Sequence, residues 1–202
     1  PGMVMIGAAM LWVGWFGFNG GSQLAADGGA ALAITVTHIS AATASISWAA
    51  WEKVKYGKAS LVGMVTGTIA GLASITPASG FVGPIEALII GAIAGILCQE
   101  GTIFIKKNIN IDDTLDVFAV HGLGGIFGTI MISLLALAGF ENGSSFISQI
   151  GGILIVGVYT IVVTAILILV IKQFVPLRVS EEIETEGLDL SEHGEKAYDF
   201  RS

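Results

Sequence analysis

The sequence predicts an all-α membrane protein: six transmembrane helices followed by a short soluble tail. Three observations predict it. Of 202 residues, 53% are hydrophobic and only 12% are charged, whereas an ordinary soluble domain carries about 25% charge. The mean hydropathy is +0.82. The charges are also unevenly placed: residues 178–202, RVSEEIETEGLDLSEHGEKAYDFRS, hold eight acids against three bases, while long upstream stretches hold none. Finally, six apolar stretches are long enough to cross a bilayer as helices, which takes about 20 residues. The expected organisation is a transmembrane domain over 1–177 and a tail over 178–202.

The first stretch, Met3–Ser22, is apolar and aromatic and carries a small-residue stripe at Gly14, Gly17 and Gly21. The second, Gly28–Trp51, holds the intramembrane His38. The third, Ser60–Thr76, repeats Gly63, Gly67 and Gly71 at every fourth position and ends in TPASG, where Pro77 predicts a turn. The fourth, Gly83–Ile105, repeats Ala87, Gly91 and Gly95 and carries Glu86 at its start, as an expected interfacial acid. The fifth, Thr114–Gly139, carries Gly124 and Gly128. At its start Asp112, Asp113 and Thr114 are good N-cap residues. The sixth, Phe146–Val175, has 30 residues; at 1.5 Å each that is about 45 Å, so it tilts or protrudes. Small residues let helix backbones approach closely in lipid, so the glycine stripes predict a compact bundle.

The basic residues set the orientation. Lys53, Lys55 and Lys58 lie between the second and third stretches, and Lys106 and Lys107 between the fourth and fifth. Lys172, Arg178, Lys196 and Arg201 end or follow the sixth. These are all nine, and a six-span topology puts them all on one side. Lysine and arginine concentrate in cytoplasmic loops, so the C-terminus is expected to be cytoplasmic. The loops GSQLAADG, PASGF and FENGSS then face outside.

Two groups are candidates for lining a path. Leu11, Trp15, Phe18 and Ser22 stand at i, i+4, i+7 and i+11 and share one helix face. This face reads either as an interfacial aromatic anchor or as a site for a small cation, held by cation–π attraction and the Ser22 hydroxyl. In IDDTLDVFAVHGLGG, Asp113 and Asp116 stand at the cytoplasmic start and His121 two turns deeper. An ionisable side chain within a span marks function. A neutral imidazole offers one donor and one acceptor, which suits passing a small polar solute. His38 is expected to be a hydrogen-bonded structural residue.

The three histidines are far apart and Cys98 is alone, so no metal site and no internal disulfide is expected. No nucleophile–base pair, phosphate-binding loop or dinucleotide fingerprint is present, so the chain does not read as an enzyme. No cofactor and no nucleic-acid partner is expected. The chain starts inside a spanning stretch, without Met and without a visible signal peptide. A fragment or a processed form is the expectation.

WFGFNGGS, GTIAGLASITPASGFVG, DDTLDVFAVHGLGG and the tail EEIETEGLDLSEHGEKAY together resemble the ammonium transporter family (Amt/Mep/Rh), and within it the Amt branch. The resemblance runs nearly end to end. It implies the eleven-helix fold of that family, two five-helix inverted repeats plus a long last helix, assembled as a homotrimer in the plasma membrane. The six stretches then resemble helices 6–11: the second repeat over about 3–139 and the last helix over about 146–175. Inverted repeats with a path at their interface are a common transporter plan.

The resemblance implies transport of ammonium or ammonia. Phe18 resembles one of two stacked phenylalanines that close the pore from outside. Ser22 resembles the hydroxyl of the external ammonium site, with Trp15, Leu11 and Thr76 near the path. His121 resembles the second of two paired pore histidines, and Asp113 the counterpart of an acid eight residues before the first. The first repeat, with the other histidine, the other gate phenylalanine, the aromatic partner of the external site and the acid tied to deprotonation, is absent from this chain. An ammonium sensor or receptor, or a neutral gas channel of Rh type, is the alternative.

The tail has a net charge of −5, from eight acids and three bases, so an anionic lipid leaflet repels it. It is expected to dock on the loops bearing Lys53, Lys55, Lys58, Lys106 and Lys107, in its own or a neighbouring subunit. Gly187, Leu188, Asp189, His193, Gly194 and Glu195 are its expected regulatory residues. The resemblance also implies a PII-type signalling protein as a cytoplasmic partner.

Overall fold

A computed structural model describes residues 1–137 and 145–196. The expected end of the fifth span at Gly139, most of the loop FENGSS, and the tail from 197 on, with Arg201, lie outside the described residues. The chain divides into two compact units, Pro1–Ile153 and Leu154–Ser202.

All six expected spans are helices. They are α1 (Gly2–Gly21), α2 (Gly28–Tyr56), α3 (Leu61–Ile75), α4 (Pro84–Phe104), α5 (Gly124–Leu135) and α6 (Phe146–Ile171). Among the described residues there is no strand. The boundaries follow from local chemistry. Asp27 caps α2, its Oδ1 accepting from the amides of Gly29 (2.9 Å) and Ala30 (3.2 Å). The Ala30 amide and then the Gln23 side chain hold the Asp27 carboxyl below the usual carboxylate range. α2 runs five residues past the expected Trp51 and stops at Gly57, whose φ of +77° suits glycine. Ser60 caps α3 through the Gly63 amide at 2.9 Å. Pro77 lies in a single 3₁₀ turn, Thr76–Ala78, as the expected end of that span. Glu86 is a capping residue: its Oε2 accepts from the Gly83 amide at 3.0 Å.

The fifth span starts later than Thr114. Its first turns are π-helical, Phe118–Leu123, before regular α5. The delay has a cause. Asp113 accepts from the amides of Val117 (2.8 Å) and Phe118 (2.9 Å), so the cap lies there. A second π-helical turn, Ile105–Ile109, ends α4.

In the first unit α2, α3 and α4 form the centre, with α1 and α5 against it. The glycine stripes of α3, α4 and α5 pack as expected. A Cβ on Gly71 would meet the Ser40 carbonyl at 2.5 Å, and one on Gly67 the Trp48 Cβ at 2.6 Å. Gly91 lies on the Ser40 backbone, Gly95 on Ser47 and Ala44, Gly124 on Ser74 Oγ, and Gly128 on the Ser74 carbonyl. Ser40 Oγ donates to the Gly71 carbonyl at 3.0 Å, fixing α2 to α3. The stripe on α1 does not behave this way. Gly14, Gly17 and Gly21 face open space in this unit, and Gly20 is the close-packed residue, against Ile34. Packing of α1 is completed by buried Asn19, whose Nδ2 donates to Thr37 Oγ1 at 2.8 Å. The 3.6-residue period explains this: Gly20 and Asn19 lie on the α2 side, and the Gly14–Gly17–Gly21 row does not.

In the second unit, Ser180 caps α7 (Glu181–Glu186), and α8 (Leu188–Ser191) follows. Gly187 joins them at φ +108°, where a Cβ would be strained. Arg178 grips Glu184 with its Nε (2.5 Å) and Nη2 (3.1 Å). The Glu195 amide donates to the Asp189 carbonyl at 2.8 Å, folding the chain back at Gly194.

Candidate functional site

α1 presents Leu11, Trp15 and Phe18 along one face, as its sequence period predicts. Trp15 is the hub. Its indole N–H donates to Thr76 Oγ1 at 2.7 Å, and the Thr76 hydroxyl donates to the Leu72 carbonyl at 2.7 Å. This chain of bonds fixes the ring to the end of α3. The indole also lies parallel to His121, with ring centroids 6.2 Å apart and a 14° interplanar angle. Phe18 meets it edge-on at 5.8 Å and 68°. So Phe18, Trp15, Thr76 and His121, scattered over a hundred residues of sequence, come together.

Two cavities run along this face. One, of about 400 Å³, is lined by Leu11, Gly14, Trp15 and Phe18. The other, of about 350 Å³, is lined by Leu11, Ile69, Val120, His121 and Asp116 among others. Leu11 belongs to both walls. The first is almost wholly apolar, and the second gains polar atoms from Thr66, Thr114, Asp116 and His121. Gly14 lines a cavity wall within this unit.

His121 is exposed here, on the π-helical turn. Its ring faces the second cavity and is covered on one side by Trp15. Ser22 stands one turn beyond Phe18, outside the two cavity linings. Its hydroxyl donates to the Phe18 carbonyl at 2.7 Å, which commits its proton and leaves oxygen lone pairs to accept from an N–H donor. Asp113 spends both oxygens on the cap. Asp116 lines the second cavity and pairs with Lys106 at 2.7 Å.

His38 was expected to be hydrogen-bonded. It is exposed and has no hydrogen-bond partner among the described residues. It sits against Trp12 (5.2 Å) and Phe16 (5.8 Å) instead, and so belongs to the face of α1 away from Trp15. Sequence reasoning missed the Trp15–His121 stack, the Asn19–Thr37 bond, and a polar cluster at the lysine-bearing end. There Glu100 accepts from Trp51 Nε1 (2.5 Å) and Lys55 (2.6 Å). An asparagine inside an apolar stretch was a usable signal for the second. The stack carries no sequence signal. Among the described residues no cluster of three or more metal-ligating side chains occurs.

The sequence model of the Ammonium Transporter Family matches residues 1–198. The chain belongs to that family. A putative ammonium transporter of Methanothermobacter thermautotrophicus is 42% identical over 98% of this chain and 51% of its own length. Ammonium transporter Amt1 of Archaeoglobus fulgidus is 46% identical over 97% of this chain and 52% of its own. The ammonium transporter of Bacillus subtilis is 42% identical over 96% and 50%. The chain thus spans about half the length of the curated relatives it matches. A solved structure described as a sensor Amt protein superposes with a TM-score of 0.86 at 35% identity, over 93% of this chain and 48% of its own. Candida albicans Mep2 does so at 0.80 and 31%, over 94% and 46%. The six-helix arrangement is therefore that of ammonium transporter structures, and the chain is a multi-pass membrane protein.

Proposed function

We propose that this chain supplies half of a pore for ammonium and ammonia, and that the ammonium transporter as a whole is a homotrimer in the plasma membrane. The observation that carries the reading is the Phe18–Trp15–His121 row, fixed to Thr76 and facing two adjoining cavities. It is aromatic and apolar, and ends in one titratable ring.

Physics makes such a row selective. Taking a bare monovalent cation into a low-dielectric medium costs on the order of tens of kcal/mol. A path walled by Leu11, Phe18 and Val120 therefore rejects K⁺ and Na⁺. Ammonium can leave its proton behind, and these metal ions cannot. In this reading Ser22 and the aromatic faces recruit NH₄⁺, it passes Phe18 and is deprotonated, and NH₃ moves along His121. Asp113 holds the turn that presents His121, and Asp116 lines the cavity. The lysine-bearing end, with the C-terminus, is the cytoplasmic side. The tail over 178–202, with Gly187, Leu188, Asp189, His193, Gly194 and Glu195, regulates transport and is the contact for a PII-type protein. The curated relatives named above, each called a transporter, support a non-enzymatic role.

The test is methylammonium uptake by the full-length protein bearing His121→Ala. Loss of uptake, or loss of K⁺ exclusion, supports the reading. Wild-type flux with wild-type K⁺ exclusion removes His121 from the mechanism. The resemblance to a sensor Amt structure favours a second reading, binding at Ser22 without conduction. Specific ammonium binding with no uptake by the wild-type protein would select it.

A further inference from the structure

The transport reading leaves the pairing of Asp116 unexplained. Asp116 sits in left-handed backbone, at φ +58°. A residue with a Cβ holds that conformation only where its surroundings impose it. Its amide donates to the Asp113 carbonyl at 3.2 Å, and its own carbonyl accepts from Val120 at 2.9 Å. The strained residue therefore starts the π-helical turn that carries His121. Its side chain lines the cavity beside Thr114 and His121.

Three carboxylates crowd this turn, and each is disposed of differently. Asp112 accepts from the Thr114 hydroxyl at 2.8 Å. Asp113 accepts from two backbone amides. Asp116 alone is turned to the cavity, and Lys106 from the π-helical end of α4 reaches it. The Asp116 side chain is 19% exposed and that of Lys106 39%, so the pair sits at the rim of the cavity rather than deep in it.

A lone carboxylate at the mouth of an apolar path concentrates every small cation, K⁺ as much as NH₄⁺. Paired with a lysine at contact distance, its field at the mouth is largely cancelled. We propose that Lys106 and Asp116 form a charge-balanced collar at the lysine-bearing mouth of the path: a specificity-determining pair that denies metal cations a site there while a neutral solute leaves. The proposal rests on the transport reading. It assigns to Lys106 a role apart from membrane orientation, and to Asp116 one apart from capping.

The experiment uses the full-length transporter in proteoliposomes, with methylammonium uptake measured against rising K⁺ on both faces. Lys106→Gln uncovers the carboxylate. K⁺ then inhibits uptake at a concentration about tenfold below that needed for wild type, the order of gain one exposed carboxylate gives a monovalent cation at contact. The double variant Lys106→Gln/Asp116→Asn returns K⁺ inhibition to within about threefold of wild type. Unchanged K⁺ sensitivity in Lys106→Gln overturns the collar, as does a double variant as sensitive as the single one. Lys106 is at the rim, so Lys106→Gln alone decides the matter should the Asp116 variant not assemble. Wild-type vesicles that take up no methylammonium overturn the transport reading, and the collar with it.

Discussion

Gly71→Ala puts the helix packing to a quantitative test. The new methyl would lie 2.5 Å from the Ser40 carbonyl oxygen, 2.7 Å from the Ala44 Cβ and 2.8 Å from the Ala41 Cα. Comfortable carbon contacts begin at about 3.5 Å. Two of the three neighbours are backbone atoms, so no rotamer relieves the clash, and α3 must retreat from α2 by about 1 Å. The Ser40–Gly71 hydrogen bond, 3.0 Å long, does not survive that shift. Overpacking costs about 1–3 kcal/mol, and an interhelical hydrogen bond in a membrane protein about 0.6 kcal/mol. The better helix propensity of alanine returns up to about 1 kcal/mol. A net loss of about 1–3 kcal/mol remains, which lowers the melting temperature by about 1–4 °C for a protein about twice this chain's length, as its relatives are. The assay is thermal unfolding of the purified full-length protein in detergent, with Gly101→Ala as the control. There the methyl meets only the Leu123 Cδ2, at 2.6 Å, the end of a flexible side chain, and the expected loss is under about 1 kcal/mol. Gly71→Ala melting with wild type, or no better than Gly101→Ala costs, refutes the close-packed reading of the glycine stripes.

Other outcomes follow from the same geometry. Trp15→Phe keeps an aromatic ring but loses the indole N–H on Thr76, worth about 0.5–1.5 kcal/mol, and should slow methylammonium uptake about two- to tenfold; Thr76→Ser keeps the acceptor and should transport near wild type. Asp113→Ala frees the Val117 and Phe118 amides and should cost about 0.5–2 kcal/mol, read as a lower melting temperature. Deleting 180–202 should reduce uptake if the tail regulates transport; wild-type flux refutes that role.

The spans were legible because each is long, apolar and bounded by polar residues. Their ends were less so. α2 overruns Trp51 because lysines tolerate a solvated helical extension until Gly57 stops it. The fifth span starts late because the Asp113 carboxylate, read from sequence only as cap material, aims at amides four and five residues on. Periodicity says which residues share a face, but not which face meets a neighbour: the Gly14–Gly17–Gly21 row of α1 meets none within this unit. At the candidate site, Trp15, Phe18 and Ser22 were linked by helix period and His121 stood out as an ionisable residue inside a span, whereas Thr76 came from resemblance alone. Their meeting with Trp15 depends on helix crossings that no local pattern encodes. His38 fails differently: it was expected to be held by a hydrogen bond, and among the described residues it packs against the Trp12 and Phe16 rings instead.

The π-helical turn Phe118–Leu123 has one more consequence. A π turn closes its hydrogen bonds five residues on rather than four, and so inserts one residue into the α-helical count. Residues on either side of it are offset by about 100°, the angle of one residue. This lets His121 meet the Trp15 ring while Gly124 and Gly128 keep their places on Ser74. Removing one residue of this turn other than His121 therefore restores the α-helical count. The anchored glycines and the residues before the turn would keep their places, and only the widened turn that sets the imidazole against the indole would be lost, without either ring being substituted.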